Sequence, residues 1–275
     1  MTNTVVLPKR KRRPVDKTLP VIMTLLLMMG LVTLFSATYY NAQDGGDALS
    51  EVKKQLFGMA VGFAAMLFTS RIPYWFWGRH RVALAGLGLS AVLLVLGAGG
   101  LALGAYYAWS EPYRRERLLS FTNPFAKMND EGYQLSQSLI AFGSGGLFGM
   151  GLGCGRQKYA YLPYPESDFI FAIVGEDFGL IGCVAVILLF IAFLFAGMRI
   201  ALTCPDTFGC LLAAGITCLI CVQAFINMGV VVGVLPTTGL PLPFFSAGGT
   251  SLSITMAAVG VVLSISRTCE PVLRS

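Results

Sequence analysis

Charged residues are scarce in this sequence. Only 12% of its 275 residues are Asp, Glu, Lys or Arg, whereas 55% are hydrophobic. A soluble globular domain carries about 25% charged residues, so the composition excludes that class. The only histidine, His80, lies between two arginines. We interpret it as a residue of the membrane interface rather than as a catalyst or a metal ligand.

Paired cysteine motifs of the kind that bind metals are also missing. The chain has seven cysteines, and most of them fall inside or at the ends of apolar runs. In such runs cysteine behaves as a small hydrophobic residue. Cys218 and Cys221 form a CxxC pattern, but no second ligand pair accompanies it. The sequence therefore predicts neither a bound structural metal nor redox chemistry at this pair.

Long apolar runs are what the sequence does contain. Because about 20 apolar residues span a bilayer, they predict an all-α, polytopic membrane helix bundle. We predict about six transmembrane helices, at residues 19–41, 54–70, 82–107, 169–198, 208–234 and 249–266. The first run follows a basic tail, as the apolar core of a signal peptide does. It is longer than such a core, which has about 7–15 residues. We expect it to remain as a helix.

The predicted spans divide the chain into five segments. They are a basic tail (1–18), three N-terminal spans (19–107), an outer loop (108–168), three C-terminal spans (169–267) and a second tail (268–275). The positive-inside rule places the basic tail in the cytoplasm. An even number of spans then returns the second tail to the cytoplasm and puts the long loop outside.

Two stretches between the spans are rich in glycine or proline. Residues 133–153 predict a helix along the surface followed by a re-entrant turn, with a seventh span as the alternative. Residues 234–249 read VLPTTGLPLPFFSAGG. Irregular backbone at membrane depth is tolerated only where protein buries it or where it lines a cavity. We therefore expect this proline-rich loop to be enclosed, on the same outer side as residues 108–168.

Four carboxylates mark a candidate site near the fourth span. Asp168 lies at its outer mouth, where capping of free backbone N–H groups is the alternative role. Glu166 lies in the preceding turn, directly after Pro165. Glu176 lies deeper, where a buried acid marks a functional site or, alternatively, a structural ion pair. Asp177 follows Glu176 and should point about 100° away around the helix.

Cations accumulate in the loop that leads to these acids. Arg156 and Lys158 are the nearest, and three arginines lie further upstream, at positions 114, 115 and 117. Cations can hold a pyrophosphate while a carboxylate removes a proton, so the combination suits a phosphate-bearing lipid substrate. Gln134 and Gln137 lie on a possible polar face of the 133–153 segment and are weaker candidates for binding.

Several longer motifs resemble one family of bacterial membrane proteins. They read RLLSFTNPF (117–125), GYQLSQSLIAFGSGGLFGMGLG (132–153), GRQKYAYLPYPESDFIFAIVGEDFGLIG (155–182) and NMGVVVGVLPTTGLPLPFFSAGGTS (227–251). Together they are similar to the SEDS family, which comprises the FtsW, RodA and SpoVE proteins of division, elongation and sporulation. FtsW and SpoVE are the more similar branches.

The resemblance implies a peptidoglycan glycosyltransferase that polymerises lipid II on the outer face of the cytoplasmic membrane. By that analogy Asp168 is the catalytic base. Arg156 and Lys158, together with Mg²⁺ or Mn²⁺ as a divalent cation, would stabilise the undecaprenyl pyrophosphate leaving group. Glu166, Glu176, Gln134 and Gln137 would support the substrate site. A class B penicillin-binding protein, which is a transpeptidase, is the implied partner.

Two other functions stay open on the sequence. The chain has about four spans fewer than members of that family, the difference falling between the second span and residue 112. This shortening favours a non-catalytic scaffold for the transpeptidase. A transporter of lipid-linked precursors is the third reading, because acids lie within the bundle. That reading predicts inverted internal repeats, and none is evident in the sequence.

Overall fold

The computed structural model describes residues 16–38, 48–78, 125, 132–152, 154–155 and 168–268. Every regular element in these ranges is a helix, which confirms the all-α fold class. The six α-helices are α1 (Thr18–Thr38), α2 (Ala48–Arg71), α3 (Tyr133–Gly145), α4 (Ile170–Thr203), α5 (Thr207–Val231) and α6 (Gly249–Ser266), and a short 3-10 turn (Tyr74–Phe76) follows α2.

Four of these helices, α1, α4, α5 and α6, are long and apolar enough to cross a membrane. They confirm four of the spans predicted from the sequence, and the protein is an integral membrane protein. The predicted span at 54–70 lies within α2, but α2 begins three residues before Glu51 and carries Lys53 and Lys54 in its second turn. Its crossing of the membrane stays a prediction. The predicted span at 82–107 lies outside the described residues.

Helices α2 and α6 pack closely along much of their length. A Cβ atom on Gly58 would lie 2.6 Å from the Cα of Gly249, and one on Gly62 would collide with the Met256 side chain. Ser253 donates a hydrogen bond to the Gly58 carbonyl at 3.1 Å. Small residues allow membrane helices to approach each other in this way. The pair is therefore held by backbone proximity and short polar contacts.

The core of the bundle lies between α1, α4 and the proline-rich loop. Phe190 and Phe193 of α4 are almost fully buried, as are Phe244 and Phe245 of the loop. The ring centroids of Phe193 and Phe244 are 5.8 Å apart, within the range of favourable aromatic pairs. Gly30 of α1 lies directly against the backbone of Phe244. Residues 242–246 of the loop are buried, whereas residues 237–240 are exposed. The prediction that protein encloses the loop is therefore confirmed only for its second half.

Helix α4 is broken rather than continuous. Gly179 has φ 67° and ψ −162°, a conformation that is open essentially only to glycine. The sequence predicted one long span over 169–198, which α4 confirms, but it did not predict the break. The break changes the backbone and not the apolar character of the side chains. The apolar pattern of the sequence therefore continues across it and gives no sign of it.

The turn after α3 fills the break in α4. The N–H groups of Met150 and Gly151 donate to the carbonyls of Glu176 and Asp177, at 2.9 and 3.1 Å. In return, the N–H groups of Leu180 and Ile181 donate to the carbonyls of Gly146 and Leu147, at 2.9 and 3.3 Å. These four bonds satisfy backbone groups that the break removes from the α4 ladder. The turn 146–151 and α4 therefore form one backbone-bonded unit.

Candidate functional site

Asp168 lies immediately before α4, at the point where the proline-rich loop reaches the helix. The N-cap position of α4 is Phe169, so Asp168 stands one residue before the cap. A Cβ atom on Gly239 would lie 3.5 Å from Oδ2 of Asp168. Gly239 has φ +68°. Because it has no side chain, its backbone lies directly beside this carboxylate. The structure therefore brings Asp168 and the proline-rich loop together, whereas the sequence predicted only that they lie on the same side of the membrane.

Asn227 of α5 fastens these two segments to each other. Its Nδ2 donates to the backbone carbonyl of Asp168 at 2.8 Å and to the carbonyl of Leu240 at 2.7 Å. The side chain is buried, with 1% of its surface exposed. Asn227 was not among the site residues predicted from the sequence. A polar amide inside an apolar run, four residues after Gln223, was the signal that could have found it.

Further side chains anchor the proline-rich loop. Gln223, one turn before Asn227, donates to the Pro241 carbonyl at 3.0 Å. Gln55 of α2 donates to the Ser246 carbonyl at 3.4 Å. The Ser246 hydroxyl accepts from the Leu242 N–H at 2.7 Å. Because these bonds come from helices on both sides, the wall that faces Asp168 is fixed at several points.

Glu176 and Asp177 are buried below this mouth. Glu176 has no exposed surface, and 2% of Asp177 is exposed. A Cβ atom on Gly155 would lie 2.5 Å from Cδ of Glu176, so the backbone after the glycine-rich turn covers this carboxylate. The backbone carbonyls of both acids receive the bonds from the turn 146–151. Both acids thus belong to the joint between α4 and the turn, and the role of Glu176 as a support for Asp168 stays a prediction.

The two glutamines predicted from the sequence lie on α3. Gln137 is buried and Gln134 is half-buried. The neighbouring Ser138 donates to the Val231 carbonyl, at the end of α5, at 2.7 Å. The helix therefore packs against α4 and against the end of α5 where the proline-rich loop begins. No described contact tests the predicted role of either glutamine in binding, which stays a prediction.

The remaining predicted site residues fall outside the described ranges. These are Arg156, Lys158 and Glu166, together with the upstream arginines 114, 115 and 117. Within the described ranges, no group of three or more His, Cys, Asp or Glu side chains is arranged to hold a metal ion. Among the described residues, this mouth therefore presents the Asp168 carboxylate against a wall of backbone and amide groups.

Comparison with known proteins gives consistent matches along the chain. The model of the FtsW/RodA/SpoVE family, described as cell cycle protein, matches residues 17–98 and 81–270. Stage V sporulation protein E of Bacillus subtilis is 49% identical over 188 residues, which are 68% of this chain and 48% of that protein. The probable peptidoglycan glycosyltransferase FtsW of Thioalkalivibrio sulfidiphilus is 46% identical over 225 residues, or 81% of this chain and 53% of that protein.

Solved structures share the fold. One belongs to a structural study of how a peptidoglycan synthase complex coordinates polymerisation and crosslinking. It has a TM-score of 0.65 at 20% identity, covering 92% of this chain and 98% of that chain. The rod shape determining protein RodA of Thermus thermophilus has a TM-score of 0.58 at 21% identity, covering 94% of this chain and 98% of that chain.

The chain spans about half the length of the curated relatives that it matches, with 48% of the Bacillus protein covered. The match nevertheless includes both segments that meet at Asp168, because the family model extends to residue 270. On the family match, the chain belongs to the FtsW/RodA/SpoVE family of cell cycle proteins.

Proposed function

We propose that this protein is a peptidoglycan glycosyltransferase that polymerises lipid II into glycan strands for cell division or cell shape. The observation that carries the proposal is the arrangement at Asp168, whose carboxylate lies beside Gly239 and whose backbone is tied to the proline-rich loop. Relatives that cover much of the chain are named probable peptidoglycan glycosyltransferases. The support is thus a positioned carboxylate in a family of that activity.

In the proposed reaction Asp168 is the general base. Its carboxylate removes the proton from the 4-hydroxyl of the acceptor sugar, and that oxygen attacks the anomeric carbon of the donor. The bond between that carbon and the pyrophosphate breaks, and undecaprenyl pyrophosphate leaves with the electron pair. Attack opposite to the leaving group changes the linkage from α to β. Arg156 and Lys158 are proposed to balance the charge of the pyrophosphate.

A divalent cation, Mg²⁺ or Mn²⁺, belongs to the proposal as a counter-ion to the pyrophosphate. Mg²⁺ is commonly bound through one or two carboxylates together with substrate phosphates. Asp168 is the described carboxylate that could take part in such a site. When bound, the ion would supply positive charge to the leaving group.

We further propose that the protein lies in the bacterial cytoplasmic membrane with both tails in the cytoplasm and residues 108–168 outside. The six arginines and lysines before residue 18 support this orientation. A class B penicillin-binding protein is the proposed partner, in line with the synthase complex that shares the fold. Asp168 would then face the compartment in which glycan strands are built.

A second candidate function is a non-catalytic scaffold for such a transpeptidase. It rests on the spans of the family that were not found between the second predicted span and residue 112. In a scaffold the wall around Asp168 would serve only to hold the partner-binding fold. The third reading, a transporter of lipid-linked precursors, gains no specific support from the described residues.

The test is polymerisation of labelled lipid II by the purified protein, alone and with a class B penicillin-binding protein. We expect glycan ladders from the wild type and none from Asp168→Asn. The matched control is Asp206→Asn, at the opposite end of α5, where Asp206 caps the helix through Gly209 N–H and asparagine caps equally well.

Three outcomes would contradict the proposal. If the wild type makes no ladders in either preparation, the scaffold reading is favoured. If Asp168→Asn makes ladders as fast as Asp206→Asn, Asp168 is not the base. Movement of labelled lipid II across proteoliposome membranes without polymerisation would favour the transporter.

A further inference from the structure

Both N–H donors of the Asn227 amide are bound by carbonyls from separate segments. An amide nitrogen has two N–H donors, and here one goes to Asp168 and the other to Leu240, at 2.8 and 2.7 Å. Rotation of the amide by 180° would place its oxygen against both carbonyls, so its orientation is fixed. Its own Oδ1 is buried and has no hydrogen-bond partner among the described residues. The side chain therefore keeps an unsatisfied oxygen while both of its donors serve this junction.

The junction connects the two sides of the candidate site. On one side, Asn227 holds the residue that carries the proposed base. On the other, it holds Leu240, the neighbour of Gly239, whose backbone lies beside the Asp168 carboxylate. Gln223 fastens only the next residue of the loop, Pro241. Asn227 thus makes two hydrogen bonds, one to Asp168 and one to the wall opposite it.

We propose that Asn227 is a positioning residue that sets the distance between the Asp168 carboxylate and the proline-rich loop. The inference rests on the proposed function, because it assigns Asn227 a role in that reaction. A displacement of about 1 Å at a reacting group can lower a rate about 10²-fold. Loss of the two bonds should therefore slow the chemical step and leave binding of lipid II largely intact.

The experiment compares Asn227→Leu with Thr217→Val. Leucine has a similar size but donates no hydrogen bond, so both carbonyls lose their partner. Thr217 lies on the same helix and is also 1% exposed, but its hydroxyl bonds only within α5, to Ala213. It is therefore matched in burial and is remote from the junction. Melting temperature and monodispersity in detergent confirm that each variant is folded.

For the kinetic readout, we expect kcat of Asn227→Leu to fall about 10–100-fold, with KM for lipid II within about threefold of the wild type. Thr217→Val should keep both constants. Gln223→Leu should lose less kcat than Asn227→Leu, because it frees the loop but not Asp168. Equal losses in the two variants, or an unchanged kcat in Asn227→Leu, would overturn the proposal.

Hydrogen exchange supplies a readout that does not need activity. The amides of residues 237–240 should exchange faster in Asn227→Leu than in the wild type or in Thr217→Val. If the wild type makes no glycan, the proposed function fails, and this measurement still decides whether Asn227 holds the loop. Exchange that is the same in all three proteins would show that it does not.

Discussion

Replacement of Gly179 by alanine should separate the turn 146–151 from α4. An alanine at φ 67° and ψ −162° costs about 1–3 kcal/mol in backbone strain. Its Cβ would also lie 2.6 Å from the Leu147 carbonyl oxygen and would collide with the Gly149 nitrogen. Loss of one or two of the four backbone bonds adds about 1 kcal/mol each. The sum is about 3 kcal/mol of lost stability.

The assay is thermal unfolding in detergent, with Gly215→Ala as the matched control. No atom lies within 4 Å of the position that a Cβ on Gly215 would take, and alanine favours a helix interior by about 0.5–1 kcal/mol. We expect Gly179→Ala to melt roughly 6–12 °C lower than the wild type, and Gly215→Ala to melt at the same temperature or slightly higher. A Gly179→Ala protein as stable as Gly215→Ala would refute the docking of the turn on α4.

Two further predictions concern packing and the membrane. Gly62→Leu should force α2 away from Met256 and lower the melting temperature by several degrees, because overpacking costs about 1–3 kcal/mol of stability. Ala60→Leu, on the exposed face of α2, should change the melting temperature little. Equal shifts in the two variants would show that α2 and α6 are not closely packed. Phe148 is 81% exposed beside the apolar face of α4, where we expect lipid to cover it. The tryptophan of Phe148→Trp should therefore show blue-shifted fluorescence that brominated lipids quench. Emission like that of free tryptophan in water would place the turn outside the bilayer.

The sequence predicts most of the architecture because membrane helices leave a strong signal. The spans at 19–41, 169–198, 208–234 and 249–266 correspond to α1, α4, α5 and α6 within a few residues. Continuous apolar runs allow few alternatives, because a backbone in lipid must satisfy its own hydrogen bonds. The same argument predicted an enclosed proline-rich loop, which holds for residues 242–246 but not for the exposed residues 237–240.

The break in α4 and the Asn227 junction were not predicted. At the break, backbone groups of residues 146–151 replace backbone groups of the helix, and neither partner reveals itself through side-chain character. Gly179 is one of 32 glycines, so glycine alone does not identify the position. Asn227 was visible as an amide in an apolar run, but its acceptors are carbonyls of Asp168 and Leu240, which any residue type would supply.

The length of α4 bears on where Asp168 would lie relative to the membrane. As one straight helix its 34 residues would extend about 51 Å, whereas the hydrocarbon core is about 30 Å thick. The part from the break to Arg199 alone covers about 30 Å. In the proposed orientation, with that part crossing the core, the segment before Gly179 would form a pedestal of about 13 Å on the outer side. A base on that pedestal would meet the sugars of a lipid-linked substrate while the lipid tail stays in its leaflet. The growing strand could then move through water without lifting its anchor from the membrane.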